Sequence, residues 1–290
     1  MIKKLLPTTV KKRIRKILAD QLKVQSEPYS YKLDFTCKER LKNKTIMITG
    51  ANGGIGSAIS LRLATEGAIV GVSGRNMEKI SSVCTEIRSI YPEANLVPIQ
   101  LDVLNEADIE TQLQSFAKEY GHIDIFINNA GGGGRGDAKP LREQSVDIID
   151  RILNTNLRGA MLCARVASKL MVEQKSGGKI ISMSSVMGMN GHANWSEYAA
   201  SKAGIIGMTK SLALELGEYN IKVNCISPGY VYQTPFDRFL INSPTNGTAL
   251  KRRGYTDEVA SLVAFLCSDE ADYITGHNFV IDGGRTLGLK

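Results

Sequence analysis

The chain has 290 residues, with 36 Lys and Arg against 29 Asp and Glu, and a formal charge of +7. This length lies at the upper end of a single domain and is enough to bury a large core. The sequence has no apolar run long enough to span a bilayer or to form the hydrophobic part of a secretory signal. These features favour one soluble domain in the cytoplasm.

Cysteines and histidines are scattered along the chain, at Cys37, Cys84, Cys163, Cys225, Cys267, His122, His192 and His277. No CxxC pair and no metal-ligand spacing occurs among them. Most of the cysteines fall within helix or strand patterns, which is typical of reduced core residues. We therefore expect no metal site.

A basic extension, residues 1–43, precedes the globular part, residues 44–290. The first 44 residues contain 13 Lys and Arg against 4 Asp and Glu, a balance of +9, so residues 45–290 carry −2 of the total +7. The high pI therefore belongs to the extension, and the globular part gives no reason to expect specific nucleic-acid binding.

The extension has the pattern of a basic amphipathic helix. Val10, Ile14, Ile17 and Leu18 share one helical face, and Lys and Arg surround it. Such a helix can lie on an anionic membrane surface or attract an acidic partner, and it can equally pack on a neighbouring subunit or stay partly disordered. A mitochondrial presequence is disfavoured because Lys outnumbers Arg and serine is missing before Asp20.

The globular part opens with a strand, a glycine-rich turn and a helix. Residues 45–49 form a short apolar, β-branched run, and an apolar helical pattern begins near Ala58. Glycine allows backbone to approach a pyrophosphate closely, and free N–H groups at the helix start face the anion. The predicted phosphate-binding residues are Gly50, Asn52, Gly53, Gly54, Ile55 and Gly56.

The second predicted strand ends in Gly74 and Arg75. A carboxylate at this point accepts a hydrogen bond from the 2′-hydroxyl of NAD, whereas an arginine accommodates the 2′-phosphate of NADP. Gly74 removes the acid and Arg75 supplies the cation, so the pattern favours NADP(H) and leaves NAD(H) as the alternative.

Apolar strands alternate with amphipathic helices throughout the globular part, which predicts an α/β fold with a doubly wound parallel sheet. The predicted strands begin near Thr45, Ala68, Leu96, Ile123, Lys179, Ile221 and Asn278.

Tyr198 and Lys202 lie four residues apart, on the same face of a predicted helix. An ammonium beside a phenol favours the phenolate and lowers the pKa of the tyrosine. The pair therefore predicts a general acid/base.

With these motifs in their order, the chain resembles the classical short-chain dehydrogenase/reductases from about Lys44 to Gly284. The family's TGxxxGxG falls on residues 49–56, its NNAG on residues 128–131, its YxxxK on Tyr198 to Lys202, and its closing VDGG on residues 281–284. The other matching positions are Asp102 and Val103 on the adenine side, Asn129, Ala130 and Gly131, the active-site Asn156, the catalytic Ser185, and Pro228, Gly229 and Val231 near the nicotinamide.

The resemblance implies a Rossmann-type sheet of seven strands in the order 3-2-1-4-5-6-7. It implies a catalytic set of Asn156, Ser185, Tyr198 and Lys202, in which Ser185 polarises a carbonyl and Asn156 holds a water that leads to Lys202. Tyr198 and Lys202 would also contact the cofactor. A homotetramer packed through the helix that carries Tyr198 is implied as well.

Two positions depart from the family pattern. Gly53 stands where NADP-preferring relatives often have a second basic residue, and Gln233 stands where a threonine often holds the nicotinamide amide, with Thr234 one residue later. The segment from about Tyr232 to Leu250 falls where the family has its mobile substrate lid.

The substrate is left open among several carbonyl and alcohol compounds. His192, Trp195, Tyr230 and Tyr232 suit a polar carbonyl compound, a sugar or a polyol, although core or lid packing explains them equally well. Many similar enzymes reduce 3-oxoacyl chains on acyl carrier protein. Two further hypotheses are a cofactor-binding scaffold that has lost turnover and an interaction protein whose function resides in the extension.

Overall fold

The computed structural model describes residues 39–133, 138–232 and 247–288. The predicted basic extension lies outside these residues except for its last five positions, and most of the predicted lid lies outside them too. Within the described residues, no helix has both the length and the apolar character that crossing a membrane requires.

Seven parallel strands form one sheet in the order β3-β2-β1-β4-β5-β6-β7. The strands are β1 Thr45–Ile48, β2 Ile69–Gly74, β3 Leu96–Gln100, β4 Ile125–Asn128, β5 Gly178–Met183, β6 Ile221–Pro228 and β7 Asn278–Ile281. Each begins within two residues of its predicted start, because short β-branched runs bounded by polar residues mark buried parallel strands well. The predicted strand order is confirmed.

Helices cover both faces of the sheet. Their bounds are α1 Gly54–Thr65, α2 Met77–Ile90, α3 Glu106–Tyr120, α4 Val146–Leu153, α5 Gly159–Gln174, the single turn α6 Met187–Asn190, α7 Ser196–Leu216 and α8 Thr256–Cys267. One core cluster joins the sheet to α1, α2 and α8, and another joins it to α3, α5 and α7. Alternation along β1 shows why, since Ile46 and Ile48 enter the first cluster and Met47 enters the second.

The order in which strands are added to the sheet reverses at β1. Strand β1 pairs with β2 on one side and with β4 on the other, so the connections that follow β1 and β4 leave the same edge of the sheet in opposite directions. A crevice at such a switch point is where open α/β sheets bind their ligands. The fold thereby brings the glycine turn after β1 next to the residues that follow β4.

Candidate active site

A cavity of about 800 Å³ lies at this switch point, along the carboxyl ends of the strands. Such a volume is typical of ligand sites. Most of the predicted cofactor residues line it: Gly50, Asn52, Gly53, Gly54, Ile55, Gly56, Arg75, Val103, Asn129, Ala130, Gly131, Tyr198, Lys202, Pro228, Gly229 and Val231. Ser185 lines it too.

Hydrogen bonds between the ends of β1 and β4 hold the glycine turn in place. The Thr49 hydroxyl accepts from the backbone N–H groups of Asn129 and Ala130, at 3.1 and 3.0 Å. In return, the Asn129 amide donates to the carbonyls of Thr49 and Gly50, at 3.0 and 2.9 Å. Two sequence motifs that lie about 80 residues apart are therefore one structural unit.

The glycines are needed for close approach. Gly50 has a φ of +62°, and a Cβ there would lie 2.7 Å from the Cα of Ala130. A Cβ on Gly56 would lie 2.6 Å from the Gly50 carbonyl oxygen and 2.7 Å from the Asn129 amide nitrogen. No side chain caps the start of α1, so its first N–H groups are available to an anion. This cradle fits the pyrophosphate of a dinucleotide.

The end of β2 leaves no room for an acidic side chain at Gly74. A Cβ on Gly74 would lie 2.6 Å from the side-chain oxygen of Asn52, so an acid at this position would displace Asn52. Arg75 is exposed and lines the cavity, and Lys79, one turn into α2, lines it as well. Lys79 was missed in the sequence, although its place four residues after Arg75, in the first turn of a helix, was a readable signal.

Asp102 lies beside the cavity without lining it, whereas Leu101 and Val103 on either side do line it. Its carboxylate accepts from the N–H of Leu104 at 3.0 Å, within the turn that follows β3. A contact between Asp102 and the adenine stays a prediction.

At the other end of the cavity, Ser185, Tyr198 and Lys202 come together. The Ser185 side chain interacts with Tyr198 and lowers the pKa of its hydroxyl, and the Ser185 oxygen accepts from the N–H of Met187 at 3.2 Å. Lys202 is only 5 % exposed, and its ammonium donates to the Met183 carbonyl at 2.8 Å and lies 5.8 Å from the centre of the Tyr198 ring.

The pKa of Tyr198 differs from the sequence prediction. Burial raises the pKa of Tyr198, and the interaction with Ser185 offsets this only in part. Burial also lowers the pKa of Lys202 to about 8. The prediction that Lys202 lowers the pKa of Tyr198 is therefore wrong for the chain by itself, because the ammonium is turned to the Met183 carbonyl and burial disfavours the phenolate.

Asn156 lies behind the cavity wall and does not line the cavity. It is 1 % exposed and sits in a single π turn, Asn154–Arg158, between α4 and α5. Its amide oxygen accepts from the N–H of Gly132 at 2.9 Å, and its nitrogen donates to the Gly132 carbonyl and the Ser201 hydroxyl, both at 3.2 Å. Asn156 therefore ties the loop after β4 to the helix of Tyr198, and a water-holding role stays a prediction.

The aromatic residues predicted near the substrate divide into three groups. Trp195 and Tyr230 line the main cavity, and Trp195 meets Tyr198 edge-on with ring centres 6.0 Å apart. His192 lines a smaller neighbouring cavity of about 310 Å³. Tyr232 lines neither, and its ring stacks on Tyr255.

The cysteines that the structure describes agree with the prediction of reduced core residues. Cys84, Cys163, Cys225 and Cys267 are free and buried, and Cys37 lies outside the described residues. No group of three or more His, Cys, Asp or Glu that could hold a metal ion occurs among the described residues. Gln233 and Thr234 also lie outside them.

Comparisons with known proteins agree with this geometry. Residues 50–286 match a family model described as enoyl-(acyl carrier protein) reductase. The chain is 38% identical over 253 residues to the 3-oxoacyl-(acyl-carrier-protein) reductase of Thermotoga maritima, covering 86% of this chain and 100% of that protein. It is 34% identical to the levodione reductase of Leifsonia aquatica, over 85% of this chain and 96% of that protein.

Solved structures show the same fold. A crystal structure of levodione reductase superimposes with a TM-score of 0.77 at 32% identity, covering 85% of this chain and 99% of the other. A short-chain type dehydrogenase/reductase from Mycobacterium marinum gives a TM-score of 0.75 at 33% identity, covering 85% and 96%. The chain therefore belongs to the classical short-chain dehydrogenase/reductase family of oxidoreductases.

Proposed function

We propose that this protein is an NADP(H)-dependent oxidoreductase that interconverts a carbonyl compound and a secondary alcohol, with Tyr198 as the general acid/base. The observation that carries the proposal is that Ser185, Tyr198 and the buried Lys202 line the same cavity as the glycine cradle. The complete set of Asn156, Ser185, Tyr198 and Lys202 argues against a scaffold that has lost turnover.

During reduction, Tyr198 donates its hydroxyl proton to the carbonyl oxygen of the substrate. NADPH, when bound, supplies the hydride for the carbonyl carbon. The raised pKa keeps Tyr198 protonated at neutral pH, which is the form that an acid catalyst needs. Ser185 accepts from Met187 through its oxygen, so its own proton can be donated to the oxygen on which negative charge develops.

Lys202 and Asn156 do not transfer the proton themselves. They position the cofactor and the wall of the cavity around Tyr198. An ammonium has three donors, and the Met183 carbonyl occupies one of them. The other two are available for the hydroxyls of a ribose. Asn156 fixes the backbone of Gly132 against Ser201, which keeps the wall of the cavity at a constant distance from the helix of Tyr198.

The preference for NADP(H) rests on charge at the end of β2. Arg75 and Lys79 are two cations beside the start of α2, where a 2′-phosphate would also meet the positive end of the helix. Gly74 offers no carboxylate to the 2′-hydroxyl of NAD. Lys79 supplies the second basic residue that Gly53 does not provide in the glycine turn.

The substrate belongs to the carbonyl and secondary alcohol class, and the names of the relatives suggest two forms of it. One is a 3-oxoacyl chain on acyl carrier protein, and the other is a cyclic diketone such as levodione. A sugar or polyol is a further candidate, since Trp195 and Tyr230 line the cavity.

The decisive experiment measures NADPH oxidation with a panel of carbonyl compounds for the wild type and Tyr198→Phe. General acid catalysis is worth on the order of 10²- to 10⁴-fold, so Tyr198→Phe should lower kcat by that factor. Tyr219→Phe, at a 45 % exposed position outside the cavity, is the matched control. Equal turnover by the wild type and Tyr198→Phe would contradict the proposed role.

The assembly and the basic extension complete the proposal. We propose a cytoplasmic homotetramer packed through α7, which light scattering on the full chain tests by its mass. Residues 1–40 would give a peripheral contact with an anionic membrane or an acidic partner. Sedimentation with anionic vesicles and with DNA, for the full chain and for a chain lacking residues 1–40, distinguishes lipid binding from general attraction to polyanions.

A further inference from the structure

Arg285 stacks on a tyrosine that lines the catalytic cavity. It begins the one-turn helix Arg285–Leu287 after β7, and its guanidinium carbon lies 3.5 Å from the centre of the Tyr230 ring. Its side chain reaches the Gly247 carbonyl only at 3.5 Å, and no carboxylate pairs with it among the residues that the structure describes. Stacking therefore orients the guanidinium and leaves most of its N–H donors available.

A second arginine approaches the same ring. The guanidinium of Arg253 lies 6.0 Å from the centre of Tyr230 and 5.4 Å from that of Tyr232, and within the described ranges it too has no carboxylate partner. Its neighbour Arg252 differs, because two hydrogen bonds of 2.5 and 2.8 Å join it to Glu258. Among the described residues, two cations without a carboxylate partner thus flank Tyr230, although residues 45–290 carry a net charge of −2.

The neighbouring cavity of about 310 Å³ contains Arg285 together with polar side chains. Asn190, His192 and Thr286 line it, and so does Met187, which also lines the catalytic cavity. The N–H of Met187 donates to the Ser185 hydroxyl at 3.2 Å. A molecule whose carbonyl lies against Ser185 therefore has this side cavity directly beside it.

We propose that the side cavity binds an anionic group of the substrate, a carboxylate or a phosphate, through Arg285 while the carbonyl lies between Ser185 and Tyr198. The proposal rests on the reductase function proposed above and narrows its substrate class. A guanidinium pairs with two oxygens of a carboxylate or phosphate at once, and such charge-assisted pairs are stronger than neutral hydrogen bonds. Arg253, whose guanidinium lies 6.0 Å from the Tyr230 ring, adds longer-range attraction.

The test uses matched carbonyl pairs that differ in the anion alone, namely 4-oxopentanoate against 2-pentanone, and dihydroxyacetone phosphate against dihydroxyacetone. The wild type should prefer an anionic member. Arg285→Met should lower kcat/KM for it on the order of 10- to 100-fold, with the neutral member and the KM for NADPH changed by less than about twofold. Lys169→Met, an exposed position on α5 outside both cavities, controls for the lost charge.

Each outcome decides between the two proposals. A preference for the carboxylate or for the phosphate, lost in Arg285→Met alone, supports the site and identifies the source of the anion. Turnover of neutral compounds with no anion preference, or an equal loss on both members of a pair, overturns the anion site and leaves the reductase function standing. An increase in the KM for NADPH alone would assign Arg285 to the cofactor. No turnover of any carbonyl compound would contradict the reductase function itself.

Discussion

Replacing Lys202 by Met should raise the free energy of unfolding and lower the catalytic activity. The side chain keeps its length but loses a charge that the fold buries, and burial lowers the pKa of Lys202 from 10.5 to about 8. The difference corresponds to about 3 kcal/mol by which the fold disfavours the ammonium at neutral pH. The increase in the free energy of unfolding in Lys202→Met is smaller than this, because the Met183 carbonyl loses its hydrogen-bond donor. Activity should fall, since the proposed positioning cation is gone.

The pH dependence of the free energy of unfolding separates the effect of the lost charge from that of the lost hydrogen bond. Between pH 8 and 10.5 the unfolded chain still holds the Lys202 proton while the folded chain has released it, so stability rises with pH in this window. From pH 7 to 9.5 the wild type should therefore gain about 2 kcal/mol in the free energy of unfolding relative to Lys202→Met. Below pH 8 the full penalty is present in the wild type.

Urea unfolding at pH 7 and pH 9.5, at one protein concentration, measures this difference. Lys210→Met, an exposed position on the same helix α7, is the control and should track the wild type at both values. A constant difference between the wild type and Lys202→Met across this range would refute the argument, because it would mean that the lysine does not titrate in the window that its burial implies.

Three further predictions concern the cradle, the 2′-phosphate end and the loop after β4. Gly56→Ala should weaken NADPH binding, measured by fluorescence titration, by more than about tenfold because its Cβ meets backbone at 2.6 Å. Gly207→Ala, where nothing lies within 4 Å, should bind normally. Arg75→Ala should raise the KM for NADPH by on the order of 10- to 100-fold and leave NADH unchanged, and equal effects on both cofactors would remove Arg75 from the 2′-phosphate site. Asn156→Ala should lower the free energy of unfolding in urea by about 1 kcal/mol, since the buried Ser201 hydroxyl and the exposed Gly132 backbone lose the Asn156 amide as a partner, and unchanged stability would contradict its tying role.

The local pattern of the chain determined the elements and the motif residues. Apolar runs marked every strand start to within two residues, and they are clearest in the central strands because a strand buried on both faces admits little else. The glycines at 50 and 56 were readable for a similar reason, since no other residue type fits those approaches. The spacing of Tyr198 and Lys202 placed both on one helical face.

The environment of each side chain was decided by tertiary structure alone. Whether Lys202 acts on Tyr198 depends on how much water the sheet and helices exclude, and this reversed the predicted direction of the pKa of Tyr198. The partners of Asn156, the turn that holds the Asp102 carboxylate and the stacking of Arg285 on Tyr230 likewise join residues that only the completed fold brings together. Sequence periodicity reports which face of an element is apolar, whereas desolvation and directed hydrogen bonds depend on atoms contributed by elements far apart in the chain.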